Sequence, residues 1–245
     1  MHSTLPKRCC ALVLCWLVTA LAIPVASAEP FRRLMVDGLQ VRWIAKDPQN
    51  LVLRYVILKS ETQIPGARNC SGIAAPDGLI KSSNLSQDGF RDAVAQAFAL
   101  WQTRINVAFV EADNAESADI VIGQQTTPTG FAFADVSINK TLQQSDVAQI
   151  TKAAICLNPE KKWKIGFDGN LAVYDLVHTI THEIGHAIGL DHPSRNGHLM
   201  SFRYGELSRG LSDGDVQGAV ELYGRRPADE RAVATATAHY AAGLK

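Results

Sequence analysis

Three histidines and one glutamate within eleven residues are the part of this sequence best suited to chemistry. The segment reads HEIGHAIGLDH and begins at His182. Residues four apart lie on the same face of a helix, so His182 and His186 can bind one metal ion. Glu183 lies about 100° further around the helix, where its carboxylate can take a proton from a zinc-activated water. The spacing predicts a hydrolytic zinc site.

Gly189 is placed to end this helix, because glycine adopts the left-handed conformation without a steric penalty from Cβ. The chain can then turn back and deliver His192 as the third ligand, and Pro193 prevents the helix from resuming. The fourth position of a tetrahedral zinc ion is left for water. His178 also lies on this helix face, but one turn rises about 5.4 Å, so we predict that it packs or hydrogen-bonds nearby and does not bind the metal.

The pattern HExxHxxGxxH resembles the signature of the metzincin metallopeptidases. Met200, eight residues after the third histidine, matches the methionine turn of the matrixins, and the resemblance implies an apolar support beneath the site. The stretch LSDGDVQGAVELYG is similar to the last matrixin helix. Ser212 is placed to cap that helix, with Asp215 three residues later and Gly224 as its terminator.

The chain departs from the matrixin pattern in places. Gly214 replaces the first of two paired aspartates, so only Asp215 carries over. Pro193 follows the third histidine, as in serralysins, where matrixins have serine. Yet Phe202 stands where serralysins place a tyrosine as an additional ligand, and Tyr204 is two residues too late to replace it.

The resemblance implies a matrixin-like catalytic domain with a serralysin-like zinc loop. Its fold class is α+β, of the metzincin or zincin-like type. The expected parts are a twisted, mostly parallel sheet with an edge strand, an active-site helix, a methionine turn and a C-terminal helix.

The charge balance and the N-terminus limit the partners and the location. The 245 residues carry 24 basic and 24 acidic side chains, which gives no reason to expect nucleic acid as a partner. Lys7 and Arg8 precede a run of about 15 apolar residues, fewer than the ~20 that span a bilayer, and small residues end at Ala28. We predict a cleaved signal peptide at 1–28, with a membrane anchor as the alternative. The mature chain is expected to be periplasmic or secreted, without a membrane anchor, and monomeric.

Two cysteines, Cys70 and Cys156, remain after that segment is removed. Two cysteines in an exported protein most simply form one disulfide. The resemblance to matrixins suggests an alternative, in which a propeptide cysteine occupies the zinc and keeps the enzyme latent. Because the residues around Cys70 lack that motif, we predict the disulfide.

Periodicity and turn residues predict the elements that position the site. An amphipathic helix is expected at 86–104, a long loop at 60–85 and the active-site helix at 170–190. The predicted strands are 51–58, 106–111, 118–123 and 152–157. The predicted divisions of the chain are a signal peptide at 1–28, a lead-in at 29–50, the catalytic domain at 51–224 and a tail at 225–245.

Residues 124–150 are polar and rich in turns. Within them Gly130, Phe131, Ala132 and Phe133 are candidates for the edge strand against which such enzymes bind an extended peptide. A plain strand or loop without substrate contact is the alternative.

One zinc ion is expected. Matrixins hold a structural zinc in the region of 124–150, but here no histidine occurs between His2 and His178. Calcium remains an option at the family level only, because the oxygen ligands that could hold it lack dense spacing. Those scattered ligands are Asn158, Glu160, Asp168 and Asp175.

The resemblance implies a secreted zinc endopeptidase in which Glu183 is the general base. Segment 201–206 is expected to form a wall of the pocket beyond the scissile bond. One alternative is a secreted zinc-containing binding protein of the same fold without peptidase activity, and another is a zinc hydrolase that acts on a non-peptide bond. Retention of Glu183 disfavours the binding protein, because zinc binding alone does not need that carboxylate.

Overall fold

The computed structural model describes residues 30–44, 51–139, 146–194 and 196–227. The predicted signal peptide and the tail beyond residue 227 lie outside these ranges. The helices are α1 (Asp77–Ser82), α2 (Gln87–Gln102), α3 (Leu176–Ala187) and α4 (Asp213–Tyr223). The strands are β1 (Arg32–Arg33), β2 (Met35–Val36), β3 (Leu39–Arg42), β4 (Leu51–Ile57), β5 (Thr62–Gln63), β6 (Gly72–Ala74), β7 (Val107–Glu111), β8 (Ile120–Gln125), β9 (Ala132–Asn139), β10 (Val147–Leu157), β11 (Trp163–Lys164), β12 (Tyr174–Asp175) and β13 (Leu190–Asp191).

A twisted central sheet carries the site. Its main path runs β2-β3-β10-β8-β4-β7, and the pairings from β3 through β10, β8 and β4 to β7 are parallel. Among the described residues, β9 pairs only with β10, in the antiparallel sense, and forms an edge of the sheet. β8 is almost entirely buried, as expected for a strand that is covered on both faces. The predicted α+β fold with a mostly parallel sheet is confirmed.

α2 and α3 pack side by side on one face of the sheet. Ser86 caps α2, and its side chain accepts a hydrogen bond from the Gly89 amide. The apolar face of α2 is buried, and the Trp101 indole donates to the Thr181 carbonyl at 2.8 Å. This bond fixes the height of α3 against α2 at the level of the histidines.

The predicted elements were wrong in three places. α3 begins at Leu176 instead of residue 170, because Asp175 accepts a hydrogen bond from the His178 amide and caps the helix there. Residues 60–85 contain the β5–β6 pair and α1, which are too short for periodicity to reveal. The stretch 124–150 contains the eight-residue β9 and the first part of β10, which is longer than predicted.

The lead-in belongs to the packed structure. β3 extends the sheet beside β10, and β1 pairs with β13, the short strand that precedes His192. The Trp43 indole donates to the Ala187 carbonyl at 2.9 Å, at the end of α3. In the described part of the chain, no helix is long and apolar enough to cross a bilayer.

Cys70 and Cys156 form the predicted disulfide. It lies on the face of the sheet opposite α3, in a smaller hydrophobic cluster with Ile73 and Val121. Because Cys156 is in β10, the bond fastens the 60–75 region to the middle of the sheet.

Candidate active site

α3 and the turn after it bring three imidazoles together. The His182 Nε2 atom lies 3.1 Å from the Nε2 atoms of His186 and of His192, and the last two are 3.2 Å apart. Gly189 makes the turn with a φ of 99°, and a Cβ there would lie 2.4 Å from the Val41 carbonyl oxygen. Only glycine satisfies both conditions, so Gly189 is required for the chain to return His192 to the helix.

Backbone carbonyls decide which ring nitrogens face the centre. Nδ1 of His182 is 2.8 Å from the Leu199 oxygen, and Nδ1 of His186 is 2.8 Å from the Leu190 oxygen. A carbonyl only accepts, so each Nδ1 carries the hydrogen and each Nε2 presents a lone pair. These lone pairs repel one another unless a cation lies between them.

The donor set fits a zinc ion. Ligand nitrogens around tetrahedral zinc lie roughly 3.3 Å apart, given zinc–nitrogen distances of about 2.0–2.1 Å. Within the described ranges, this triad is the group of histidine, cysteine or acidic side chains placed to hold a metal. Burial lowers the pKa of His186 to about 4 and lowers the pKa of His182 well below its ordinary value. Both rings are therefore neutral at pH 7, as metal ligation requires.

Glu183 lies beside the triad. It is 6% exposed and lines the same cleft. Burial, and to a smaller degree the charge of Asp135, raise the pKa of its carboxyl to about 8. A cation at the triad would oppose this shift, because a nearby positive charge favours the ionised carboxylate.

The methionine turn supports α3 from below. Met200 is buried, and a Cβ on Gly185 would lie 2.2 Å from its sulfur atom. The buried Asp215 carboxylate accepts hydrogen bonds from the amides of Leu199 and Met200 at 2.9 and 3.2 Å, and it also completes the capping box of α4 with Ser212. Because the Leu199 carbonyl binds His182, Asp215 is linked to a metal-binding histidine through one residue.

A mostly apolar cleft of about 470 Å³ opens above the triad. The predicted substrate-binding residues Gly130, Phe131, Ala132 and Phe133 line one side, and Ser201, Phe202 and Tyr204 line the other. The expected edge strand and the expected wall therefore face each other across the histidines. A slightly larger cavity of about 530 Å³, near the start of α2, contains none of the predicted site residues.

His178 does not join the triad. Its ring lies under the wall segment, against Tyr204 and Phe167, and its Nδ1 atom is buried without a partner in the described part of the chain. Phe202 is 80% exposed and packs edge-on against His192, so it contacts a histidine without offering a ligand atom.

An anchor of the wall was missed by sequence reasoning. Glu206 accepts hydrogen bonds from the amides of Asp168 and Gly169 at 3.0 and 2.6 Å and from the Tyr204 hydroxyl at 2.9 Å, and it pairs with Lys164. These partners are far apart in sequence, and no local pattern marks them.

Three of the four residues considered for calcium use their side-chain oxygens in protein contacts. Asp175 caps α3, Asp168 pairs with Lys164, and the Asn158 side chain accepts from the Glu160 amide.

The fold and the site define the class. Three histidines on a helix and the turn after it, a neighbouring glutamate and a buried methionine turn are the features of a metzincin catalytic domain. The model of the matrixin family matches residues 79–224. The chain belongs to the matrixin family of metallopeptidases.

The chain is also similar in sequence to metalloproteinases of plants, bacteria and animals. The chain is 28% identical to metalloendoproteinase 1-MMP of Arabidopsis thaliana over 152 residues, which are 60% of this chain and 41% of that protein. It is 26% identical to karilysin of Tannerella forsythia over 147 residues, 58% of this chain and 30% of karilysin. It is 31% identical to rat stromelysin-3 over 154 residues, 58% of this chain and 28% of stromelysin-3. The chain thus spans less than half the length of these relatives.

Proposed function

We propose that this protein is an exported zinc endopeptidase that hydrolyses peptide bonds in the cleft above the triad. The observation that carries the proposal is the convergence of three Nε2 lone pairs beside Glu183, at the floor of an open cleft with a free strand edge. A binding protein would not need a buried carboxyl group at this position, because burial of a polar, ionisable group is costly unless it serves a purpose.

The histidines and Glu183 have different roles in the proposed reaction. His182, His186 and His192 hold one zinc ion, and their Nδ1 contacts fix the rings. Zinc at this site supplies a Lewis acid that acidifies water and polarises a peptide carbonyl. Glu183 takes the proton of the attacking water and then donates it to the amine nitrogen of the leaving peptide.

The two sides of the cleft position the substrate. The free edge of β9, beginning at Gly130 and Phe131, binds the substrate backbone as an added strand. The wall around Tyr204 contacts a substrate side chain beyond the scissile bond, and Glu206 fixes that wall to the 164–169 segment.

Glu183→Gln tests the proposal because glutamine keeps the shape of the side chain but cannot take a proton. We expect kcat for a casein-derived or library peptide to fall by about 10²–10⁴-fold, the usual contribution of a general base. The zinc content should remain near one per chain. Chelation of wild type should abolish activity, and added zinc should restore it.

Glu221→Gln is the matched control, because this glutamate lies on α4 and pairs with Arg33 away from the cleft. Its activity should equal that of wild type. Chelator-insensitive turnover, or equal turnover in Glu183→Gln and wild type, contradicts the mechanism.

We further propose that the chain is exported through a signal peptide at residues 1–28. The apolar run before Ala28 and the pairing of Cys70 with Cys156 support export, because disulfides persist in oxidising compartments. Mass spectrometry of the unreduced protein from the periplasm or medium should give a chain that begins at Glu29 and lacks two hydrogens. An uncleaved chain found in the membrane fraction contradicts this proposal.

A further inference from the structure

A second groove continues the active-site cleft along the free edge of β9. It has a volume of about 440 Å³ and is lined by residues 134–138 of β9, by residues 34–37 and by residues 65–69. We call it the side groove. Leu34 and Ala134 line both the side groove and the cleft. A peptide that is extended along β9 in the cleft therefore enters the side groove with one of its two arms.

The two flanks of the side groove stand on opposite faces of the sheet. Val136 and Ile138 of β9 pack into the main core on the α3 face, where Leu34 and Val36 also pack. Asp135 points to the other face, because successive side chains of a strand alternate. There its carboxylate accepts hydrogen bonds from the amides of residues 69 and 70 at 2.6 and 2.8 Å.

An ion pair joins these two flanks. The Arg68 guanidinium lies 3.2 Å from the Asp37 carboxylate. β10 occupies the other side of β9, so a contact between the two faces must pass around the free edge of the strand. The Asp37–Arg68 pair therefore crosses the side groove, which an extended substrate would otherwise follow.

The backbone on both sides of the ion pair is held by rigid parts of the fold. Arg68 precedes Asn69, whose side chain also donates to Asp135 at 3.1 Å, and the Cys70–Cys156 disulfide follows directly. Asp37 lies in the tight turn between β2 and β3, with a φ of 52°. The two side chains themselves are exposed, at 72% for Arg68 and 46% for Asp37, so the pair is weak and a peptide can displace it.

We propose that the Asp37–Arg68 pair limits the length of substrate that this enzyme accepts on one side of the scissile bond. The inference rests on the proposed peptidase function. Arg68 stands near the cleft end of the side groove, because the adjacent Asn69 is bonded to Asp135, one residue beyond Ala134. A short arm ends before the pair, whereas a longer arm must break it. The enzyme should therefore prefer to cut peptides and protein chains within a few residues of one end. Sites deep inside long chains should be cut less readily.

The test is a series of peptides with one cleavable core, extended by one to six neutral residues at either end and blocked at both termini. In wild type, kcat/KM should fall about three- to fivefold once the extension at one end passes the pair, and extension at the other end should have no effect. Arg68→Gln and Asp37→Asn should each remove the fall and leave kcat/KM for the core peptide unchanged. Raising NaCl from 0.1 to 1 M should reduce the fall in wild type, because exposed ion pairs are screened.

Arg91→Gln is the matched control, since Arg91 forms a similarly exposed pair with Glu111 outside the cleft. This variant should keep the fall. If wild type does not cleave the core peptide, the proposed function fails. If the core is cleaved but neither extension lowers kcat/KM, or the fall persists in both groove variants, only the role of the ion pair is overturned. Thermal unfolding of each variant, read beside its activity on the core peptide, shows whether it is folded.

Discussion

At the scale of single residues, the site depends on where each hydrogen lies. The Leu199 and Leu190 carbonyls hold Nδ1–H of His182 and His186, which leaves the Nε2 lone pairs free to converge. Second partners of this kind commonly orient metal-binding histidines. The sequence supplies the histidines, but the two carbonyls come from segments that follow the helix and turn back beneath it.

The stability of the metal-free protein should report the buried carboxyl of Glu183. Its folded pKa of about 8 lies above the unfolded value of 4.5, so the folded state binds more protons between these pH values. The contribution of Glu183 to stability is thus present below pH 4.5 and is lost as pH rises through 8. As pH rises from 4.5 to 8, the unfolding free energy of Glu183→Gln should increase relative to that of wild type by up to roughly 4 kcal/mol.

Urea denaturation of both proteins with chelator, at pH 5 and pH 8, measures this gain. The pKa of His186 is lowered to about 4, so its titration acts in the opposite direction, but both proteins share it and the difference isolates Glu183. Zinc should shrink the gain, because its charge favours the ionised carboxylate. A difference that does not vary with pH contradicts the expected shift.

At the scale of elements, the position of α3 over the methionine turn sets the geometry of the ligands. α3 is capped by Asp175, packed against α2 through Trp101 and stopped at Gly189. The absence of a side chain at Gly185 lets Met200 approach the helix backbone. The metal-binding helix and the turn beneath it are therefore one packed unit.

Gly185→Ala should disturb this unit. Helix propensity alone would favour alanine by about 0.5–1 kcal/mol, but the new Cβ would lie 2.2 Å from the Met200 sulfur. We expect overpacking to prevail and the variant to lose about 1–3 kcal/mol of unfolding free energy. Chemical denaturation measures the loss, and competition with a zinc indicator should show weaker zinc binding.

The double variant Gly185→Ala/Met200→Ala provides the check on cause. Removing the methionine side chain creates room for the new methyl group. The double variant should therefore lose less unfolding free energy than the sum of the losses in the two single variants. Strict additivity would mean that the effect of Gly185→Ala does not come from this contact.

In the molecule as a whole, the disulfide fastens the 60–75 region to the face of the sheet opposite α3. It links residues 86 apart and holds the segment that flanks the side groove against β10. Closing a loop of this size restricts the unfolded chain, and removal of such a bond typically costs about 2–5 kcal/mol. We expect Cys70→Ser/Cys156→Ser to lose stability in that range.

Differential scanning calorimetry of the zinc-loaded protein tests this expectation. Wild type treated with reductant should match the double variant, and reductant should not change the double variant further. Because neither cysteine lies in the triad, activity on a short peptide well below Tm should stay within about twofold. Equal Tm values for oxidised wild type and the double variant contradict the expectation.

Features with a local cause could be predicted from the amino-acid pattern alone. His182, His186 and Glu183 follow from helical spacing. Gly189 and the return to His192 follow from a turn that needs a positive φ, and the start of α4 follows from the capping box of Ser212 and Asp215. α2 was predicted from its apolar stripe. Each of these features is complete within a few residues, so the pattern contains its own explanation.

Contacts between distant segments depend on how the chain packs in three dimensions. Three examples join residues 17 to 37 positions apart: the Leu199 carbonyl at His182, the Glu206 carboxylate at the Gly169 amide, and the Asp37–Arg68 pair. No periodicity marks such pairs, because they depend on how the sheet twists and which segments its edges bring together. The residues of the candidate metal site are therefore set by local spacing, whereas packing between distant segments sets the shape of the cleft above them.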